Sequence, residues 1–250
     1  MKKIISLLTK IFPRQFLIKF SYLFSIIIRP FYRGNKVECP VCGKHFRKFL
    51  PYGYGEAMDN RLCPNCLSLE RHRLLWLYLK EKTGFFSDNL KVLHFAPEQP
   101  FLKKFKSLKN LDSPIADLHI DVTNIDLPDN TYDVVICNHV LEHVDNVDKA
   151  FSEIKRILKP KGWAILMVPI NPNVDTFEDP SITDPKERER LFGQYDHVRQ
   201  FGRDYAEVLQ KAGFDVDADR LYFELTDEQR ERMHLARPGE ELVYRVIKNS

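Results

Sequence analysis

An α/β fold, a mostly parallel sheet with helices on both faces, is what this sequence predicts, and three adjacent stretches carry the expectation. Tyr132–Cys137 is an unbroken apolar run rich in Val and Ile, the composition of a strand covered on both sides. From 146 to 159, Val147, Ala150, Phe151, Ile154, Ile157 and Leu158 fall on one face of a helix, with Asp145 to cap it and Pro160 and Gly162 to stop it. Residues 163–168 are apolar again. Strand, helix, strand in that order closes a right-handed crossover between parallel strands.

The chain has 250 residues, enough for one full core with an appended module. Its net charge of +3 hides an asymmetry: residues 1–37 hold eight basic residues and no acid, which leaves 30 basic against 35 acidic residues beyond them. A basic arm on a body of net charge −5 suits an anionic membrane surface and speaks against nucleic acid, whose phosphates ask for a basic body.

In chain order, residues 1–35 are apolar, aromatic and basic. The longest apolar stretch, 16–28, is interrupted by Lys19 and closed by Arg29 and Pro30, so it is too short to span a bilayer. On a helix, Lys19, Ser21, Ser25 and Arg29 gather opposite Phe20, Leu23, Phe24 and Ile27, the pattern of a segment lying in the membrane interface; packing on the domain itself is the plainer alternative. No small-residue cleavage site marks a signal peptide.

A small module follows at 36–68. Cys39 and Cys42, then Cys63 and Cys66, form two C-x-x-C pairs with twenty residues between them, the spacing of a structural zinc ribbon. Such a site needs a reducing compartment, hence the cytoplasm, and supplies folding energy that a tiny core lacks. The fifth cysteine, Cys137, ends the apolar strand and reads as packing. A helix is expected over 67–82, with Glu70, Arg71, His72 and Arg73 as a solvated face.

The rest of the chain, 69–250, is the main domain. A strand at 91–96 runs into Pro97, Glu98, Gln99 and Pro100, which open a helix, and this is where a Rossmann-like sheet holds its cofactor. No glycine occurs between Gly84 and Gly162, so neither a dinucleotide loop nor a P-loop is present. Residues 109–120 should contain the second strand. Asn138, His139, Glu142 and His143 follow the carboxyl end of Tyr132–Cys137, the edge where open α/β sheets bind ligands. Residues 171–200, polar and broken by prolines, read as a lid that carries Tyr195, Asp196, His197 and Arg199. A helix at about 203–211, strands at 214–222 and 241–248, and a charged helix at about 227–234 close the domain.

From Cys39 onward the chain resembles class I S-adenosylmethionine-dependent methyltransferases of the type 11 group, in a bacterial subset with an amino-terminal zinc ribbon. The residues that carry the resemblance are KVLHFAPE at 91–98, the whole of 121–169, and GQYDHVRQFGRDYAEVLQKAGF at 193–214. It implies a seven-stranded Rossmann-like sheet whose last strand is antiparallel, with the cofactor across the carboxyl ends of the first and fourth strands. Carried over by position, His94, Phe95, Ala96, Pro97 and Glu98 line the methionine end, Asp112 the ribose, Asp121 and Val122 the adenine, and Asn138 and His139 the sulfonium.

Methyl transfer from a sulfonium is an in-line displacement that asks the protein to align the reactants and exclude water. A hydroxyl acceptor also needs a base, for which His197 and His139 are the candidates, with Asp196 or Glu142 to orient a ring. His143 reads as a helix-start residue. The basic arm at 1–33 suggests a sugar, small-molecule or lipid-linked acceptor at the inner membrane face. Two other readings stand beside it: methylation of RNA or protein, and a non-catalytic membrane-associated scaffold.

Overall fold

The structure, a computed structural model, describes residues 25–53, 58–106, 111–112, 120–235 and 242–249, the pair 111–112 by its backbone. Most of the basic arm lies outside them, and among the described residues no helix is long and apolar enough to cross a membrane. Contacts divide the chain into two compact units: one runs up to Arg73 and includes Asp227–Leu235, and the other holds Leu74–Thr226 and the carboxyl-terminal strand.

In the first unit, β1 (Arg33–Cys39) pairs antiparallel with β2 (Lys44–Phe46), and β3 (Leu50–Tyr52) with β4 (Met58–Leu62). Each C-x-x-C pair occupies a tight turn. In one, Gly43 adopts a φ of 67° while its N–H donates to the Cys39 carbonyl at 2.8 Å. In the other, the Leu67 N–H donates to the Cys63 carbonyl at 3.0 Å. Helix α1 (Glu70–Glu81) starts just beyond and runs on into the second unit.

The expected solvated face of α1 is instead buried at Glu70, His72 and Arg73. Buried carbonyls need donors. Arg73 supplies them: its guanidinium donates to Arg61 O at 3.0 Å, Ser68 O at 2.9 Å and His234 O at 2.6 Å, and lies 4.5 Å from the Phe49 ring centre. His72 Nδ1 accepts from the Leu69 N–H at 2.9 Å, and Arg61 pairs with Glu70 at 2.7 Å.

The second unit is built on one sheet. Its strands are β5 (Val92–Phe95), β6 (Leu111–Asp112), β7 (Tyr132–Cys137), β8 (Leu158–Ile165), β12 (Phe214–Ala218) and β13 (Tyr244–Lys248), in the order β12-β13-β8-β7-β5-β6. Strands β6, β5, β7 and β8 are mutually parallel, while β13 runs against both neighbours. Six strands are thus described of the seven implied; residues 113–119, which follow β6, lie outside the described set.

Alternation along these strands feeds two cores. Leu93, Phe95, Val135, Cys137, Ala164 and Leu166 pack with Ala150, Phe151, Ile154 and Ile157 of α3 (Val147–Ile157) and Tyr205 and Leu209 of α5 (Tyr205–Lys211). On the other face, His94 lies 5.5 Å from the Phe105 ring of α2 (Gln99–Phe105), which joins Phe85, Phe101 and Trp76 in an aromatic cluster. Burial raises the Cys137 thiol well above its ordinary pKa, in keeping with a packing role.

Two boundaries differ from expectation. Asn146, not Asp145, caps α3, its side chain accepting from the Lys149 N–H at 3.0 Å. The helix also ends at Ile157, and Leu158 opens β8 without a turn, so Leu158 is buried as a strand residue. The segment 171–200, expected as a lid, carries regular structure: β9 (Ile170–Asn171), β10 (Phe177–Glu178) and β11 (Arg199–Gly202) form a small sheet in the order β10-β11-β9, with α4 (Pro185–Phe192) between β10 and β11 in sequence. Asp184 caps α4, and Gly193, at a φ of 90°, ends it.

Candidate functional site

The carboxyl edge of the sheet is assembled around the ends of β5 and β7. Ala96 leaves β5 at a φ of 42°, a left-handed turn that a glycine would ordinarily take, and it is exposed. Beyond it, Pro97 and Glu98 are half-buried at the start of α2. The Asn138 amide at the end of β7 donates to Glu98 Oε2 at 3.2 Å, tying the two strand ends together. The Asn138 side-chain oxygen also accepts from the Met167 N–H at 3.3 Å, and the His139 N–H donates to Met167 O at 2.8 Å. These bonds hold His139 at a φ of 54°, a strained conformation for a non-glycine residue and of the kind that gathers at functional sites.

Other residues named from the sequence lie at varying distance from solvent. His94 and Phe95 are inside the two cores, at 1% and 4% exposure, so their side chains pack while their backbone reaches the edge. Asp112 pairs by its backbone with Leu93. Val122 is buried in the core, whereas Asp121 is exposed and one carboxylate oxygen accepts from both the N–H and the hydroxyl of Thr123, each at 2.8 Å. Those two bonds lower the Asp121 pKa and leave its second oxygen outward. The loop is anchored from beneath: Arg156 donates to Ile125 O at 2.7 Å and Leu127 O at 2.8 Å, and Glu153 accepts from the Ile125 N–H at 2.8 Å. Glu153 is held down to about 2, chiefly by Arg156.

Four titratable side chains meet just past β7. Glu142 is buried at 2% exposure, and His139 Nδ1 lies 3.4 Å from its Oε1. Ligand atoms of Glu142, His143 and His197 lie within 4.8 Å of one another, and the rings of His143 and His197 meet edge to face at 4.8 Å. His197 is 3% exposed, its Nδ1 2.9 Å from Phe192 O; a carbonyl only accepts, so that nitrogen carries the proton. Burial lowers the His197 pKa.

Asp196 is exposed and stands by His143, with its carboxylate at 3.6 Å and its carbonyl at 3.2 Å from His143 Nδ1. It therefore stands where it can orient His143. His143, read from the sequence as a helix-start residue, is a member of the cluster; helix α3 begins only at Val147. Arg199, 2% exposed, fastens the two segments by donating to the carbonyls of Leu141 at 2.7 Å, Asp145 at 3.0 Å and Val144, while its Nε bonds Glu178 at 2.8 Å.

In the first unit, Cys39, Cys42, Cys63 and Cys66 bring their Sγ atoms within 4.8 Å of one another, with 3.5 Å between Cys39 and Cys66 and 3.8 Å between Cys42 and Cys63. Zn–S bonds of about 2.3 Å at tetrahedral angles place sulfurs about 3.8 Å apart, so the set fits zinc. All four are free thiols. Bonds from Cys42, Cys63 and Cys66 push the Cys39 thiol down, and burial pushes Cys63 up. His45 and His72 are engaged elsewhere, with Glu38 and with the Leu69 N–H.

Residues 79–166 match the family model described as a methyltransferase domain. The chain is 50% identical over 48 residues to an uncharacterised protein of Methanocaldococcus jannaschii, covering 19% of this chain and 21% of that one. It is 50% identical over 38 residues to the ubiquinone biosynthesis O-methyltransferase of Rickettsia bellii, covering 15% and 16%. The chain thus spans about a fifth of the length of these curated relatives. Among solved structures, an S-adenosylmethionine-dependent methyltransferase from Archaeoglobus fulgidus covers 70% of this chain and 94% of its own at 16% identity, with a TM-score of 0.44.

Proposed function

We propose that the chain, whose residues 79–166 match the methyltransferase domain model, is a class I S-adenosylmethionine-dependent methyltransferase that acts on a hydroxyl of a sugar or of another small or lipid-linked acceptor at the cytoplasmic face of the membrane. The observation that carries this reading is the Asn138–Glu98 bond across the ends of β7 and β5, with His139 and its partner Glu142 directly beside it.

The residues present fit the cofactor. Glu98 offers a half-buried carboxylate to an ammonium group, reached without the close backbone approach a phosphate demands, and the outward oxygen of Asp121 can accept from an adenine amino group. When bound, S-adenosylmethionine supplies a methyl carbon on a sulfonium, which leaves with its electron pair as a neutral thioether when an acceptor oxygen attacks in line. His139 takes the proton released by that oxygen, and Glu142 orients the ring and stabilises its charged form. His197, the other candidate base, is buried with its Nδ1 proton on Phe192 O, which leaves Nε2 as its basic nitrogen. The similarity to an O-methyltransferase supports a hydroxyl acceptor.

The four cysteines hold a structural zinc that closes the first unit. A test of the catalytic reading is calorimetric titration of zinc-replete protein with S-adenosylmethionine. Wild type is expected to bind, Asp121→Ala to bind at least about tenfold more weakly, the scale of one lost hydrogen bond to a charged group. Absence of binding by wild type would sink the enzyme reading and leave the scaffold.

The membrane part of the proposal rests on the acid-free arm, whose described end exposes Ile26, Ile27 and Phe31 beside Arg29 and Arg33. Deletion of residues 1–33 is expected to abolish sedimentation with anionic liposomes. Equal sedimentation of the truncated protein would show the arm is not an anchor.

A further inference from the structure

We propose a second metal site, a divalent first-row transition ion held by Glu142, His143 and His197. The inference deepens the hydroxyl-transfer reading and rests on it for its role, though not for its existence. Two facts point to a missing cation. Glu142 Oε2 and His197 Nε2 are both buried and neither has a hydrogen-bond partner among the described residues. Burying a carboxylate oxygen and an imidazole nitrogen side by side without partners is costly, and the cost persists in a fold only where something else compensates it.

The second shell is that of a ligand set. His197 donates its Nδ1 proton to Phe192 O at 2.9 Å, which leaves the lone pair on Nε2. His143 Nδ1 is held in the same manner by Asp196 O at 3.2 Å. Glu142 has its Oε1 beside His139 Nδ1 at 3.4 Å, so its Oε2 remains for the ion. Ligating histidines anchored by backbone carbonyls, and a ligating carboxylate anchored by a neighbour, are the usual outer-shell arrangement. Two imidazoles and one carboxylate select borderline divalent ions, Zn²⁺, Fe²⁺, Co²⁺ or Mn²⁺, over Ca²⁺ or K⁺.

Three protein ligands leave coordination positions open. An acceptor hydroxyl bound there has its pKa lowered and lies next to His139, which receives the proton. Glu142 and His143 come from the loop after β7, and His197 comes from the segment between α4 and β11, so the ion would also join these two segments.

The test uses the full chain. Co²⁺ titration of wild-type protein is expected to load two ions: one with the intense sulfur-to-cobalt charge-transfer bands of a four-thiolate site, and one with only weak visible bands. Zinc analysis should likewise give two ions per chain, falling to one in Glu142→Gln and in His197→Gln, each with second-site affinity reduced at least about 100-fold. Thermal melts check that the variants fold, and the wild-type titration reads the site whether or not they do. One ion per wild-type chain, or a second ion indifferent to both substitutions, overturns the site. S-adenosylmethionine binding measured in parallel separates the two proposals, because binding retained without a second ion sinks the metal alone.

Discussion

The two clusters of potential metal ligands are built in opposite ways. The cysteines come as two local pairs, each on a turn of four residues, and the fold has only to bring two turns together. The residues beyond β7 come from one turn and from a segment more than fifty residues later, joined by a hydrogen-bonded arginine. The first set is closed, since four thiolates complete a tetrahedron. The second offers only three candidate ligands, with a partly buried histidine at its margin. A site that only stabilises can be encoded locally, whereas one that must admit and release an acceptor is shared between a fixed strand end and a separate segment.

The comparison breaks most readily at the cysteines. Cys63 is fully buried, and Cys63→Ser removes one thiol of the four-cysteine cluster proposed to hold zinc. The binding free energy of a structural zinc site is about 10 kcal/mol or more and is folding free energy for so small a core. The variant, and wild type treated with a strong chelator, are expected to lose amide-exchange protection across β1 to β4. Protection that survives in both would mean that Phe46, Phe49 and the buried Arg73 sustain the unit without metal.

What the sequence made legible follows the same division. The C-x-x-C pairs, the Val-rich strand β7 and the amphipathic α3 are local patterns; the first two stand at the expected residues, and α3 stands where expected but ends at Ile157. The strands β9 and β10 are two residues each, too short for any periodicity to register, so 171–200 reads from the sequence as a lid without regular strands. The cap moved from Asp145 to Asn146 because either residue can cap, and the Asp145 carbonyl is engaged by an arginine 54 residues away. His143 packs against the His197 ring and does not cap α3, and its contact with Asp196, 53 residues distant, leaves no local pattern in the sequence. Arg73 and Arg199 share one lesson. Each is a buried arginine that donates to several backbone carbonyls, and a charge pattern cannot distinguish it from a solvated one.

Arg199 gives the smaller but more discriminating test. Its guanidinium reaches three carbonyls, of Leu141, Val144 and Asp145, on the turn that carries Glu142 and His143. Arg199→Met keeps much of the volume and removes every donor. Each abandoned buried carbonyl costs about 1–3 kcal/mol, so a local loss of about 3 kcal/mol is expected before relaxation and water entry reduce it. Because the lost bonds span 141–145 and 199, the loss should appear as faster amide exchange in 185–202 and 138–146, with β5 and β8 unchanged. Arg199→Lys retains one point of donation and is expected to recover only part of the protection, because an ammonium cannot present the planar fork. Methyl transfer should fall in both variants in the same order while S-adenosylmethionine affinity changes little, since Glu98 and Asp121 are held by other bonds. An unchanged exchange pattern in Arg199→Met would mean that the segment is fixed by β9–β11 pairing and the packing of Phe192 alone, and that the two halves of the site are held together by apolar contact and not by the arginine.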